Sequence, residues 1–403
     1  MKDISLHSAD FYRNPFPTFE HLRHTTPVYY DALEDRWVVT RYADVSEVLR
    51  NHEVFTANPP YFRFSEVIGV TMQNMDGKDH DARRSIVAPG MIGKNLEHLI
   101  LPHVQKSSSY LVDRLAGLSD FPVRKMLAKP LPLKTMTKIL GLHEKDEEFL
   151  ADVTTKILRS LQGDEPHKTI GREAHEAFAK IVYALIAEKR ITPGTDLISG
   201  LITSADESGY KLTDEEVCSF VSLLLAAGSE TTEVALVNFL HVLLSHPAEL
   251  EMIRKDPALL NPAFTEFMRR DGVIVYEDRG IAEDYDLNGH ILKKGDVVRV
   301  ALLSANNDES VFKNPRKFDL NRSDLHLDRE RRSGGVTEER VGHLGFGLGR
   351  HFCIGYMLAR AEIVTVTELL LNTFSKMSIS KKNVDDIEMD WWVWSAKELI
   401  VDI

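Results

Sequence analysis

Between Thr213 and His246 the chain runs for about 33 residues without a proline, roughly 50 Å at the usual helical rise. It begins with Thr213-Asp214-Glu215-Glu216, a capping-box sequence, and an apolar run follows directly. His246-Pro247 marks its end. A helix of this length crosses a whole globular domain, so the rest of the chain has to be wrapped around it. Cys218 falls in its first turns, where a small buried apolar side chain is the simplest reading. Ser229-Glu230-Thr231-Thr232-Glu233 interrupts the run midway, so no unbroken apolar segment reaches the roughly 18 residues that suggest a membrane span. The N-terminal sequence lacks the basic start and apolar core of a secretion leader. A net charge of −12 argues against nonspecific nucleic-acid binding. These features predict a cytoplasmic protein with no membrane anchor.

Around this helix, Val28–Tyr30 and Trp37–Thr40 pattern as paired strands and Tyr42–Leu49 as a short helix. Helical patterns dominate from His80 to about Leu201, with breaks at Pro130-Leu131-Pro132 and Pro193-Gly194. Further helices are expected over Pro262–Arg270 and from Cys353 to about Phe374. Strands are expected at Gly272–Tyr276 and Val297–Leu303, with strand and turn from Met389 to Ile403. The polar segment Ser323–Arg340 reads as a surface loop, and neither a linker nor an internal repeat divides the chain. The expectation is one domain over residues 1–403, mainly α (an α-rich α+β fold) with small antiparallel sheets.

Two cysteines cannot build a disulfide framework, so each thiol needs its own explanation. Cys353 closes the segment Gly345-Phe346-Gly347-Leu348-Gly349-Arg350-His351-Phe352-Cys353, and an amphipathic helical pattern follows. Glycines permit tight bends and close approach of a flat ligand. A cysteine at a helix start has its thiolate favoured by free N–H groups and the helix dipole. That arrangement suits ligation of a metal by one sulfur. A phosphate loop fits poorly, because Arg350 stands where G-x-G-x-x-G needs its last glycine and no P-loop lysine follows. A zinc site would need more ligands than nearby His351, which is also an awkwardly spaced partner for a thiol nucleophile. Taken singly, a buried apolar cysteine is the simpler reading.

The whole segment, Phe346-Gly347-x-Gly349-x-His351-x-Cys353-x-Gly355, resembles the haem-binding signature of the cytochrome P450 family. Ala359-Arg360-x-Glu362 is similar to its bacterial members. The resemblance implies a cytochrome P450 fold whose one long helix crosses the haem. It implies that Cys353 is the axial ligand to the iron of haem b (iron protoporphyrin IX), with Phe346, Gly347 and Gly355 around it. Such a thiolate pushes electron density toward iron and favours O–O cleavage, tuned by backbone N–H groups on the sulfur.

Other segments agree with the resemblance. Ala226-Ala227-Gly228-Ser229-Glu230-Thr231 alone reads equally well as a solvated helix strip, but it is similar to the family's A-G-x-(D/E)-T motif. The match implies a distorted helix, with Ala227 beside the haem, Thr231 hydrogen-bonding dioxygen and Glu230 relaying protons; Thr232 is the lesser candidate for the hydroxyl. Glu266-x-x-Arg269 alone is an ordinary i, i+3 ion pair; by resemblance it supports the fold together with Arg322. His80, Arg84, Arg279 and His351 would hold the haem carboxylates, Arg83 being the confusable neighbour; each is otherwise a surface charge. Ser304–Asp308 and Pro315-x-x-Phe318-Asp319 also match, so the resemblance covers essentially the whole chain.

The chain departs from the family at Val273, where relatives carry proline, at Asn307 and Glu309, and in the tryptophan-rich Trp391-Trp392-Val393-Trp394. Those at Val273 and in the tryptophan run fall where the family lines its substrate pocket, so no relative's substrate transfers safely. The implied function is a monooxygenase that inserts one atom of dioxygen into, or oxidatively couples, a small apolar molecule of bacterial secondary metabolism. NAD(P)H-derived electrons would come through a separate ferredoxin or flavodoxin and its reductase, with Arg83 and Arg360 as contacts, to a monomer. Candidate substrate contacts are Tyr61, Phe62, Phe64, Val67, Leu224, Ala227, Ile274, Val275 and Trp394, all of them otherwise core. A peroxide-driven peroxygenase and a non-catalytic haem-bearing recruitment protein are the rivals. Both go with a damaged acid–alcohol pair, whereas Glu230-Thr231 is intact.

Overall fold

The long helix forms over Asp214–Leu244, 31 residues, with Thr213 as its N-cap. The Thr213 hydroxyl accepts from the Glu216 amide at 3.2 Å, and the Glu216 carboxylate accepts from the Thr213 amide at 2.9 Å. Two otherwise orphaned N–H groups are thereby satisfied. Contrary to the expectation from its polar interruption, this helix is long and apolar enough to cross a membrane by length and composition. Its most apolar window is nonetheless 72% buried inside the protein, so its apolar faces serve the core. The computed structural model describes residues 5–59, 64–160, 164–327, 340–383, 387–390 and 392–403.

Two apolar clusters share this helix. Val217–Ala226 packs into the first, with Val67, Ile86, Met136 and Phe178; Val234–Leu243 packs into the second, with Phe264, Phe267 and Leu399. The strip between them belongs to neither cluster: Ala227 is exposed, and Glu230, Thr231 and Glu233 are half-buried. The helix Tyr356–Thr373, which follows Cys353, divides in the same way. Met357 and Leu358 join the first cluster, and Ile363, Val366 and Leu370 the second. Both helices therefore cross one seam between two cores.

A five-stranded sheet flanks the bundle, built from β1 (Val28–Asp31), β2 (Arg36–Val39), β3 (Phe55–Thr56), β4 (Tyr276–Ile281) and β5 (Val297–Ala301) in the order β1-β2-β5-β4-β3. The pairing of β2 with β5 is parallel, and the others in this sheet are antiparallel. Ile387–Asp390 and Val393–Ala396 form a separate antiparallel hairpin. The strand expected at Gly272–Tyr276 begins only at Tyr276. Gly272, at φ +55°, instead closes the helix Leu260–Arg270 by donating to the Phe267 carbonyl at 2.9 Å, a left-handed cap that an added Cβ would strain. The break expected at Pro130 is a boundary between two helical segments: one ends at Ala128, and Pro130 opens the helix Pro130–Leu140 at its first position, where its missing N–H costs nothing. Of the expected loop Ser323–Arg340, residues 328–339 lie outside the described residues.

Glu266 and Arg269 are fully buried on the helix Leu260–Arg270. Arg269 forks onto Glu266 at 2.8 and 2.9 Å, and Arg322 Nε reaches the same carboxylate at 2.7 Å. The remaining Arg269 donors go to the Asn306 and Pro315 carbonyls. This network ties the helix to the strand-and-loop segment that leads to Cys353.

Candidate functional site

The loop before Cys353 is folded by its own backbone. Gly347 donates to the Leu344 carbonyl and Cys353 to the Phe346 carbonyl, each at 2.9 Å. Gly347 and Gly349 sit at φ +71° and +70°, a region that disfavours any side chain. At Gly349 a Cβ would also meet the Leu49 carbonyl oxygen at 3.0 Å. The Phe346 ring lies among Phe264, Phe352 and Tyr356. From the helix Gly77–Val87, Arg84 donates to the carbonyls of Phe352 (2.7 Å) and Arg350 (3.3 Å). Arg350 returns to the Gly77 carbonyl at 2.8 Å and bonds Asp81.

Cys353 lies deep in the fold, yet its surface is only partly covered by protein, so it opens onto internal space. Burial pushes its thiol pKa up; the Gly355 and Tyr356 amides and the Arg84 charge act in the opposite sense, toward the thiolate. An open sulfur braced by amide donors is suited to a soft or borderline metal such as iron.

The four predicted carboxylate binders come from three separate segments and meet near this loop. His80 is buried, and its ring stands 4.5 Å from that of His351. Burial, with His351 and Arg84 nearby, lowers the His80 pKa to about 4 against the pull of Asp81, leaving a neutral ring at pH 7. His351 Nε2 bonds Asp76 at 2.9 Å, and Arg279 bonds Glu277 at 3.0 Å. Burial alone would raise the Asp76 carboxyl, but the His351 bond, the Ala57 amide and Arg279 hold it below the usual range. His351 and Arg279 thus already take carboxylate partners in this geometry. The donor set is one that a flat, dianionic, iron-bearing ring would fit, a sulfur on one side and cationic or N–H donors from three segments on the other.

Across the seam, the Thr231 hydroxyl donates to the Ala227 carbonyl at 2.8 Å and Ser229 to Leu225 at 2.7 Å. The helix is continuous through this strip, so any distortion there stops short of breaking it. Back-bonding to the i−4 carbonyl here shares the acceptor without displacing the helical ladder. Thr232 is buried, which leaves Thr231 as the more open hydroxyl.

The substrate candidates do not gather into one wall. Phe64, Val67 and Leu224 share the first cluster, and Ile274 lies between the second cluster and the one behind the sheet, bridged to Val393. Val275 and Trp394 belong instead to a cluster with Phe11 and Phe19, Val275 fully buried and Trp394 edge-on to Phe16. Successive residues of an extended chain face opposite sides, so Val393 joins one core and Trp394 another. Those two read as core. Tyr61 and Phe62 lie outside the described residues. Arg83 bonds Glu216 and Tyr210, and Arg360 bonds Asn261 and Thr265. The sequence reading passed over Asp76 and Arg350. Asp76 precedes Gly77 at a helix start, a readable N-cap signal, but its carboxylate serves His351 and Ala57 instead of its own helix.

The cytochrome P450 family model matches residues 27–258 and 254–401. The putative cytochrome P450 YjiB of Bacillus subtilis (strain 168) is 31% identical over 369 residues, 90% of this chain and 88% of that protein. The cytochrome P450 monooxygenase PikC of Streptomyces venezuelae is 30% identical, over 97% of this chain and 90% of its own. The solved structure of the bacillaene polyketide synthase cytochrome P450 PksS of Bacillus subtilis 168 superposes with a TM-score of 0.86 at 27% identity, covering 99% of both chains. The fold is shared with PksS over nearly the whole of both chains, and the family match implies haem and dioxygen. The chain belongs to the cytochrome P450 family and is a monooxygenase of that family.

Proposed function

We propose that residues 1–403 act as a single haem domain that inserts one atom of dioxygen into a small apolar molecule of bacterial secondary metabolism. A ferredoxin or flavodoxin with its reductase supplies NAD(P)H-derived electrons to this monomeric, cytoplasmic enzyme. The secondary-metabolite assignment is supported by PksS, whose name places it in polyketide synthesis. The observation that carries the reading is the half-buried Cys353 in its glycine loop, ahead of a helix that, like the one carrying Ala227–Thr231, spans both apolar cores. Haem bound there supplies dioxygen activation and the oxidation of substrate.

The chain's own residues hold that group and manage protons. Cys353 ligates the iron, its charge braced by the Gly355 and Tyr356 amides. Arg84 fixes the loop through the Phe352 carbonyl, and Arg279, His80 and His351 complete the grip on the carboxylates. Glu230 is half-buried and lines a partly open cavity of about 600 Å³, so it can take a proton from solvent. Adjacent helix residues do not face each other, so its proton passes to the Thr231 hydroxyl through an intervening water.

Two measurements test this. The reduced protein under carbon monoxide should give the red-shifted Soret band of a thiolate-ligated haem; an unshifted band from freshly folded protein would refute Cys353 as ligand. Replacing Thr231 by alanine should cut product formed per NAD(P)H consumed by at least roughly tenfold, with peroxide released, as expected for loss of a proton-delivery group. Thr231→Ser should retain most of the coupling. Unchanged coupling in the alanine variant would remove Thr231 from the proton route.

A further inference from the structure

The helix Gly77–Val87 carries two consecutive arginines that reach different parts of the fold. Neighbouring helical residues point about 100° apart, so one helix can grip two elements at once. Arg84 faces the Cys353 loop and donates to its Phe352 and Arg350 carbonyls. Arg350 answers from the loop, through the Gly77 carbonyl and Asp81. Arg83 turns instead to the start of the central helix. Its Nε and Nη2 both reach one Glu216 carboxylate oxygen, at 3.2 and 2.8 Å. Nη2 also donates to the Tyr210 hydroxyl at 3.0 Å, and the guanidinium lies 4.7 Å from the centre of the Tyr210 ring. The Tyr210 hydroxyl donates in turn to Glu216 at 2.6 Å.

This cluster joins positions 133 apart in sequence. The Arg83 and Glu216 side chains are only 16% and 17% exposed, so solvent and salt screen them less than an open surface pair. Glu216 has two tasks. It closes the capping box by accepting from the Thr213 amide at 2.9 Å, and it takes the Arg83 fork. Burial alone would raise its carboxyl, but the Tyr210 hydroxyl, the Thr213 amide and Arg83 hold it below the usual range. The cap of the central helix is thus bonded to the same helix that braces the Cys353 loop. We propose that Arg83, with Glu216 and Tyr210, is a positioning cluster: it makes the helix Gly77–Val87 a strut that holds the Cys353 loop in register with the central helix carrying Thr231. The strut joins two parts of this chain, so it stands whatever group Cys353 holds.

Hydrogen exchange of the full chain in its haem-loaded form, resolved to single amides, tests the strut. Arg83→Gln removes the fork. Glu216→Gln removes its counter-charge but keeps the capping box, because glutamine also caps at this position. In both variants the Gly347 and Cys353 amides, which are bonded within the loop, should exchange at least about fivefold faster, the low end of an ordinary coupling between sites. The double variant should be no faster than either single one, as expected of two residues acting as one pair. Arg190→Gln breaks a different ion pair onto the same helix start, with Asp214, and leaves the helix Gly77–Val87 untouched. Its loop amides should stay within about twofold of wild type, the scatter expected of independent sites. Loop amides unmoved in Arg83→Gln and Glu216→Gln, or moved as much by Arg190→Gln, would overturn the proposal. Equal acceleration of the Val298 and Val300 amides in the central strand of the sheet would also overturn it, since a uniform rise reports lost global stability. The carbon monoxide spectrum reports on the ligand of Cys353 and exchange reports on the strut, so failure of either is separately visible.

Discussion

Glu266→Ala is expected to destabilise the protein by roughly 3–5 kcal/mol, the usual cost of removing one partner from a buried ion pair. Glu266 is fully buried and is the single carboxylate between Arg269 and Arg322, accepting from both and from the Asp319 amide at 3.2 Å. Without it, Arg269, itself fully buried, keeps the Asn306 and Pro315 carbonyls, the face of Phe312 and the more distant Asp271 charge, but no directly bonded carboxylate. Set against a typical stability of about 5–15 kcal/mol, that loss is a large fraction of the total. Urea unfolding followed by circular dichroism should show the midpoint fall. Haem retention should fall with it, because the same helix is tied to the chain leading into the Cys353 loop. Glu266→Met with Arg269→Met, which removes both charges, should recover part of the loss. A Glu266→Ala protein within about 1 kcal/mol of wild type would mean that the network is not a determinant of the fold.

What the sequence discloses depends on how local the interaction is. The capping box at Thr213 and Glu216 is legible because its hydrogen bonds span three residues, and the Cys353 loop because its glycines, histidine and cysteine are nearly contiguous. The Glu266–Arg269 pair is visible for the same reason, but its burial is not. That depends on Arg322, 56 residues away, and on carbonyls from two other segments. The contact between Asp76 and His351 joins positions 275 apart, and only the family motif suggested that His351 had work to do. The misplaced strand after Arg270 has a simple cause: the continuous β-branched run from Val273 has strand composition, while the left-handed turn at Gly272 delays sheet pairing to Tyr276. Val275 and Trp394 fall in a different apolar cluster from Leu224 because the facing of an extended chain is set by its pairing, which apolar composition alone does not encode. The seam itself was half legible. The polar strip at Ser229–Glu233 marked it on one helix, but that the cysteine helix divides between the same two cores required the packing.

That same division exposes a group the sequence shows only as part of Ala359-Arg360-x-Glu362. Glu362 lies between Leu358 of one core and Ile363 of the other, fully buried, with no partner at hydrogen-bond geometry for either carboxylate oxygen among the described residues. Thr135 is close enough to favour the charged form slightly, but its hydroxyl proton is committed to the Leu131 carbonyl at 3.0 Å. Burial therefore dominates and pushes the Glu362 carboxyl up to about 8, from 4.5 in the unfolded chain. A carboxyl raised on folding is protonated in the native state, so it costs nothing below the unfolded value. Its penalty grows as pH rises from about 4.5 to about 8 and is constant above. Over that window the shift corresponds to roughly 5 kcal/mol as an upper bound. Glu362→Met, similar in volume and free of charge, should match wild type near pH 5 and exceed it by roughly 3–5 kcal/mol at pH 8.5. Carboxylates held low by cations, such as Asp76 and Asp271, lose their stabilisation only in acid, outside this window, and cancel in the comparison. The difference in urea midpoint between the two proteins, measured from pH 5 to 8.5, is the decisive curve. A difference that does not change with pH would show that Glu362 keeps one protonation state across the range and that its burial carries no pH-linked cost.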